Sequence, residues 1–139
     1  MRSMGLDVGD IRIGISISDP TGLIAQGHAT LERSGWDRDL AYLSEMAEEL
    51  AVGRFVVGNP LNLDGSSGRQ AERSRDFASR LKEATRLPVV LWDERFTSLS
   101  AEKTLIEAGV SRKKRRKSID RMAAAILLQN YLDSRNQRP

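Results

Sequence analysis

Met4-Gly5-Leu6-Asp7-Val8-Gly9-Asp10-Ile11-Arg12-Ile13-Gly14-Ile15-Ser16-Ile17-Ser18 decides the fold. Ile11, Ile13, Ile15 and Ile17 alternate with Arg12, Gly14, Ser16 and Ser18, the period-two pattern of a half-buried strand. The segment before them is a second strand. On it Gly5, Asp7 and Gly9 share one face, and Met4, Leu6 and Val8 share the other. Asp7 therefore stands between two positions without side chains, which predicts cleared space for an ion and a substrate backbone.

Working outward, Asp19-Pro20-Thr21-Gly22 reads as a turn, and residues 23–31 as a third strand that completes an antiparallel meander. After Ser34-Gly35 the period becomes helical, with Leu40, Leu43, Met46, Ala47 and Leu50 on one face and Asp37 near the positive end of the dipole. Residues 54–58 form a short apolar run expected to be an interior strand. A loop over 58–68 leads to a helix over about 69–85, whose inner face is Ala71, Phe77, Ala78, Leu81 and Ala84. Val89 to Trp92 follows Pro88 as another interior strand. A helix over about 98–108 ends at Gly109, a residue suited to a left-handed cap. The last helix is expected to begin at Ser118 as N-cap and run to about 133, with Ile119, Met122, Ala123, Ile126 and Leu127 inward. This order predicts one α/β domain over 1–139: a mixed five-stranded sheet, three antiparallel strands then two parallel, with helices packed on it.

Composition narrows the chemistry. The chain has 139 residues and no cysteine, which excludes thiolate catalysis, disulfides and thiolate zinc sites. His28 is the single histidine, so no histidine cluster or serine-histidine relay can form. The opening residues lack the roughly 7–15-residue apolar core of a signal peptide, and no helical stretch approaches the roughly 20 residues that span a bilayer. A soluble cytoplasmic protein is expected. Trp36 and Trp92 are too isolated for a stacking platform and read as packing residues.

The formal charge is +3, from 22 basic and 19 acidic residues. Arg112-Lys113-Lys114-Arg115-Arg116-Lys117 is an unbroken run of six cations, and without it 16 basic residues stand against 19 acidic. Such a run is expected to repel itself, stay extended and attract a polyanion.

Three acids stand in apolar surroundings: Asp7, Glu94 at the carboxyl end of a buried strand, and Asp120 at the start of the last helix. Open α/β sheets gather ligands at such strand ends. Lone buried carboxylates are costly, and three together repel unless a cation compensates them. With oxygen donors alone the fitting ions are hard ones, Mg²⁺ or Mn²⁺. Asp93 and Glu94 point to opposite faces of an extended chain, so one of them joins Asp7. Glu94 is preferred, although alternation alone does not decide it. Arg95 is placed to orient a carboxylate or hold a phosphate.

Taken together, residues 5–14, the segment Val57-Gly58-Asn59-Pro60-Leu61-Asn62-Leu63-Asp64-Gly65, the segment Asp93-Glu94-Arg95-Phe96-Thr97-Ser98, and Asp120-Arg121-Met122-Ala123-Ala124 resemble the YqgF family. That family is described both as Holliday junction resolvases and as the nuclease that matures precursor 16S ribosomal RNA. The match spans nearly the whole chain in order. The resemblance implies a ribonuclease H-like fold with helices on both faces of the sheet, and it carries Asp7, Glu94 and Asp120 over as a catalytic, metal-binding triad. It also implies that the 58–68 loop borders a nucleic-acid groove. Gly9, Arg12, Asn59, Pro60, Asn62 and Arg95 then join Arg112, Lys113, Lys114, Arg115, Arg116 and Lys117 as the expected nucleic-acid contacts. Asn59 stands where an apolar residue is expected, and the basic run is denser than usual; both bear on substrate preference.

The expected reaction is phosphodiester hydrolysis with two Mg²⁺ or Mn²⁺ ions about 3.5–4 Å apart, on structured RNA in ribosome assembly or on branched DNA. The expected partners are nucleic acid and pre-ribosomal particles, for a monomer or homodimer. Two competing readings are a nucleic-acid-binding module without catalysis and the phosphate loop of a sugar-kinase-type ATPase.

Overall fold

The computed structural model describes residues 1–59, 68–93 and 112–136. Its elements are β1 (Arg2–Val8), β2 (Arg12–Ser18), β3 (Ala25–Glu32), α1 (Trp36–Glu49), β4 (Val52–Asn59), α2 (Arg69–Thr85), β5 (Val89–Asp93) and α3 (Arg112–Asn136). The five strands form one sheet in the order β3-β2-β1-β4-β5. β1 runs antiparallel to β2, β2 antiparallel to β3, β1 parallel to β4 and β4 parallel to β5. This is the mixed sheet the alternation predicts.

The strand pattern sorts its side chains onto two faces. Met4, Leu6 and Val8 of β1 lie with Ile13, Ile15 and Ile17 of β2 and with Phe55 and Val57 of β4 beneath α1 and α2, which contribute Leu43, Ala47, Phe77, Ala78 and Leu81. Fully burying such a side chain is worth about 1.5–3 kcal/mol, so this layer is the main core. On the other face Val56 packs with Leu127, Leu128, Tyr131 and Leu132 of α3, with Val90 and Trp92 alongside. Trp92 meets Tyr131 edge-on at 5.5 Å and Trp36 meets Phe77 at 5.7 Å between ring centroids, so both tryptophans are packing residues.

Several expectations are corrected. Ile11 is exposed at the hairpin tip, because the Gly9 N–H donates to the Arg12 carbonyl at 2.9 Å and closes the turn before β2 begins. Leu23 and Ile24 belong to the Asp19 turn rather than to β3, their N–H groups both donating to Asp19 Oδ1 at 2.8 Å. Ser74 takes an inner position of α2 while Ala84 is exposed. Residues 112–117 do not stay extended. They form the opening turns of α3, so Ser118 is no N-cap and Asp120 lies more than two turns inside the helix. Arginine and lysine are good helix formers, and the packed segment after them supplies a helix to extend. The buried stripe of α3 is Ala123, Ala124, Leu127, Leu128, Tyr131 and Leu132, rotated from the expected one; Ile119, Met122 and Ile126 are half-buried. The helix expected over 98–108 lies outside the described residues.

The rotation of α3 has a cause in the sheet. Gly5 and Gly14 lie beneath the helix: a Cβ on Gly14 would sit 1.9 Å from the Asp120 carbonyl oxygen, and one on Gly5 would sit 2.3 Å from Ser16 Oγ and 2.9 Å from Leu128 Cβ. Ser16 Oγ donates to the Ala124 carbonyl at 2.7 Å. The space at Gly5 therefore admits a helix rather than an ion or substrate, and that at Gly9 is taken by its own turn, where a Cβ would meet the Arg12 carbonyl oxygen at 2.8 Å. His28 has a structural role too. Ile15 pairs with Ala29 and Ser16 with Gly27, which leaves His28 as the extra residue of a bulge in the edge strand β3.

Two predictions follow from this packing. Gly14→Ala forces α3 off the sheet against main chain that cannot yield, and is expected to cost about 2 kcal/mol or more in chemical denaturation; an unchanged midpoint would contradict the close approach. The second concerns Asp19, whose carboxylate is held far below the ordinary value of 3.8 by the N–H of Ile24 first, then the Thr21 hydroxyl and the N–H groups of Leu23 and Thr21. Its stabilisation is present in full above the ordinary value and fades as pH falls below it. Thermal melts of wild type and Asp19→Ala should differ most near neutrality and converge in acid.

Candidate active site

α3 crosses β1 and β2 at the carboxyl end of β1, where the hairpin register sets Asp7 directly opposite Gly14. Opposed residues share a face, and the Gly14 face is the one against which the Asp120 main chain rests. Asp7, half-buried, and Asp120 are thus brought together on one side of the sheet from positions far apart in sequence. The absence of a side chain at Gly14 is what allows it.

Arg12 completes this corner. Its Nε donates to Asp120 Oδ2 at 2.7 Å, with the two side chains 26% and 20% exposed. A short charge-assisted bond in partial shelter from water holds the carboxylate in place better than a fully solvated pair would. Arg12 was expected to contact nucleic acid; in this structure its guanidinium is engaged with an acid of the candidate site.

Gly9 lies in the adjoining turn, and its carbonyl accepts from Arg33 Nη1 at 3.2 Å. Arg33 in turn reaches the buried Asp39 at 3.4 Å, and Asp39 also accepts the Ser34 N–H at 3.1 Å. Asp10, in the same turn, forms an ion pair with Arg73 of α2. The hairpin beside Asp7 is therefore held by two arginines that sequence pattern did not single out. Asp39, nearly enclosed, carried the only local hint, as a charge on a helix face that is otherwise apolar.

The strand register also separates neighbours. Gly58 pairs with Trp92 and Asn59 with Asp93, and Trp92 packs beneath α3. Alternation then turns Asp93 and Asn59 away from the Asp7 face. The Asn59 Oδ1 atom is buried and has no hydrogen-bond partner among the described residues. Glu94, Arg95, Pro60 and Asn62 lie outside the described residues. Residues 112–117 are the opening turns of the helix that carries Asp120.

The donors collected here are carboxylate oxygens, which suit a hard divalent cation. His28 lines a separate recess with Arg2, Asp19 and Leu50. Among the described residues no group of three His, Cys, Asp or Glu is placed to hold a metal; the geometry brings together two of the three expected acids.

The family described as "RuvX: Holliday junction resolvase" matches residues 1–134. A Syntrophomonas wolfei protein named "Putative pre-16S rRNA nuclease" is 51% identical over 133 residues, covering 96% of this chain and 94% of its own. A Geobacillus kaustophilus protein of the same name is 50% identical over 137 residues, covering 97% and 99%. Among solved structures, Thermus thermophilus RuvC in complex with a Holliday junction substrate aligns with a TM-score of 0.59 at 16% identity, over 99% of this chain and 97% of that one. The fowlpox virus resolvase in complex with Holliday junction DNA aligns with a TM-score of 0.56 at 14% identity, over 96% and 98%. These two likenesses show the fold alone, a ribonuclease H-like one.

The Arg12–Asp120 bond can be measured directly. A double-mutant cycle of Arg12→Gln and Asp120→Asn, by urea denaturation without added metal, should give a coupling of roughly 0.5–1.5 kcal/mol, between an exposed pair and a well-formed charged hydrogen bond. A coupling near zero would mean the two side chains do not meet.

Proposed function

Because the chain belongs to the RuvX family, matched over residues 1–134, we propose that it is a metal-dependent nuclease that hydrolyses phosphodiester bonds in maturing the 5′ end of precursor 16S ribosomal RNA. The observation that carries this reading is the meeting of Asp7 and Asp120 on one face of the sheet, across the bare Gly14 position. Relatives about half identical over nearly their whole length bear the pre-16S rRNA nuclease name, which supports RNA as the substrate.

In this reading Asp7, Glu94 and Asp120 hold Mg²⁺ or Mn²⁺. The strand register directs Asp93 to the other side of the sheet, which supports Glu94 as the acid to pair with Asp7. When bound, the metal would supply activation of water and stabilisation of the leaving oxygen. The chain's own residues position and hold. Arg12 fixes the orientation of the Asp120 carboxylate, and the Arg33 and Arg73 contacts keep the hairpin that follows Asp7 in one shape. Of the remaining expected contacts, Pro60, Asn62 and Arg95 would border the substrate, whereas Gly9 is occupied by its own turn and Asn59 is directed to the other face. The six cations at 112–117, on the helix that carries Asp120, would meet phosphates without reading bases, so affinity should fall steeply with salt.

The second reading, a Holliday junction resolvase, is favoured by the family's own description. It would require a symmetric pair of sites for matched cuts, hence a dimer. No helix among the described residues is long and apolar enough to cross a membrane, and the proposed place of action is the cytoplasm.

Parallel cleavage of labelled precursor 16S RNA and a four-way DNA junction, each with Mg²⁺, Mn²⁺ or EDTA, separates the two substrates. The RNA is expected to be cut and EDTA to stop it. Asp7→Asn and Asp120→Asn should each lower the rate at least about a hundredfold, since several kcal/mol of charge stabilisation is lost, while RNA binding persists. Full activity of either variant, or undiminished cleavage in EDTA, would refute the metal site.

A further inference from the structure

The face that carries Asp7 and Asp120 at one end carries the opposite charge at the other. Ser3 pairs with Arg54 across β1 and β4, and the last turns of α3 reach this end with Tyr131 and Arg135. The guanidinium carbons of Arg54 and Arg135 each lie 5.8 Å from the centroid of the Tyr131 ring, which is 5% exposed. Arg135 Nη1 also donates to the Tyr131 hydroxyl at 3.4 Å. One ring thus holds two like charges near each other.

Both arginines open on a recess of about 220 Å³ whose described lining includes Ser3, Thr21 and Asn136 but no carboxylate. Neither guanidinium forms an ion pair among the described residues. Acids on neighbouring segments are engaged elsewhere. Asp19 accepts the N–H groups of its own turn, and Asp133 accepts from Gln129 at 2.9 Å. Two fork-shaped donors with no counter-charge among the described residues, beside hydroxyl and amide groups, match the oxygens of a phosphate.

We propose that Arg54 and Arg135 form a second anion site, one that binds a phosphate group at the end of the sheet remote from the acids. Fifteen helical residues separate Asp120 from Arg135, about 22 Å at the α-helical rise. A nucleic-acid strand engaged at the acids would present a phosphate there some 6–7 nucleotides away, at about 3.4 Å per phosphate. A free phosphate or pyrophosphate offers the same chemistry. The site does not use Asp7 or Asp120, so it stands or falls separately from the nuclease reading.

Calorimetric titration of the full chain with pyrophosphate at low ionic strength tests it. Wild type should bind saturably, the Arg54→Gln/Arg135→Gln protein at least tenfold more weakly, and a charge-matched control, Arg38→Gln/Arg86→Gln, like wild type. Absence of saturable binding to wild type, or equal losses in both double variants, would overturn the proposal. If the Arg54/Arg135 variant does not fold, arginine Nε–Hε spectra of wild type decide: pyrophosphate should shift Arg54 and Arg135, and shifts confined to other arginines would refute the site. Strands of four and twelve nucleotides identify the source. Loss confined to the longer strand in the variant assigns the site to nucleic acid, and unaltered binding of both strands with pyrophosphate binding lost assigns it to a free anion.

Discussion

The structure depends on one close approach, that of α3 to β1 and β2 over Gly5 and Gly14. The helix main chain at Asp120 occupies the volume where a Gly14 side chain would be, and the Ser16 hydroxyl ties the Ala124 carbonyl to the sheet. Interiors packed to near-crystalline density transmit such constraints over short distances. Were the helix lifted by one methyl group, Asp120 would move relative to Asp7, and Arg12 would have to reach further to hold it. The same contact determines which stripe of α3 is buried and so where Tyr131 meets Trp92 and the arginines at the far end.

Much of this was legible in the sequence. The alternating isoleucines, the turn at Asp19 and the helical spacing of Leu43 and Phe77 lead to the observed sheet and to the layer beneath α1 and α2. Asp7 and Asp120 were legible as a pair of acids in the wrong surroundings. What escaped was long-range and main-chain in origin. Periodicity reports that a helix has an apolar side but not its rotation against a sheet, so the stripe of α3 was misplaced by part of a turn. The role of Gly5 was misassigned and that of Gly14 missed for a related reason: a missing side chain marks space, and only the fold shows that a helix takes it. The basic run is helical and not extended because repulsion among neighbouring cations, worth tenths of a kcal/mol per pair, is outweighed by continuity with a packed helix.

Charge along α3 is segregated. Asp120 meets Arg12 near one end of the packed segment, while Arg54 and Arg135 flank one tyrosine at the other. The acidic end lies at the carboxyl edge of the parallel strands, the usual location of ligands in open α/β sheets. A polyanion lying along this helix would encounter positive charge on either side of the acids, at residues 112–117 and at Arg54 and Arg135. That distribution is the one the proposed nuclease reading requires.

Asp7 and Asp120 are proposed to form parts of one cation-binding corner, made possible by Gly14. Paramagnetic broadening of amide resonances by Mn²⁺ tests it most directly. Substoichiometric Mn²⁺ should broaden the amides of Asp7, Gly14 and Asp120 together, and Mg²⁺ should reverse the effect by competition. Broadening centred elsewhere in the fold, or affecting only one of the two aspartates, would contradict the account.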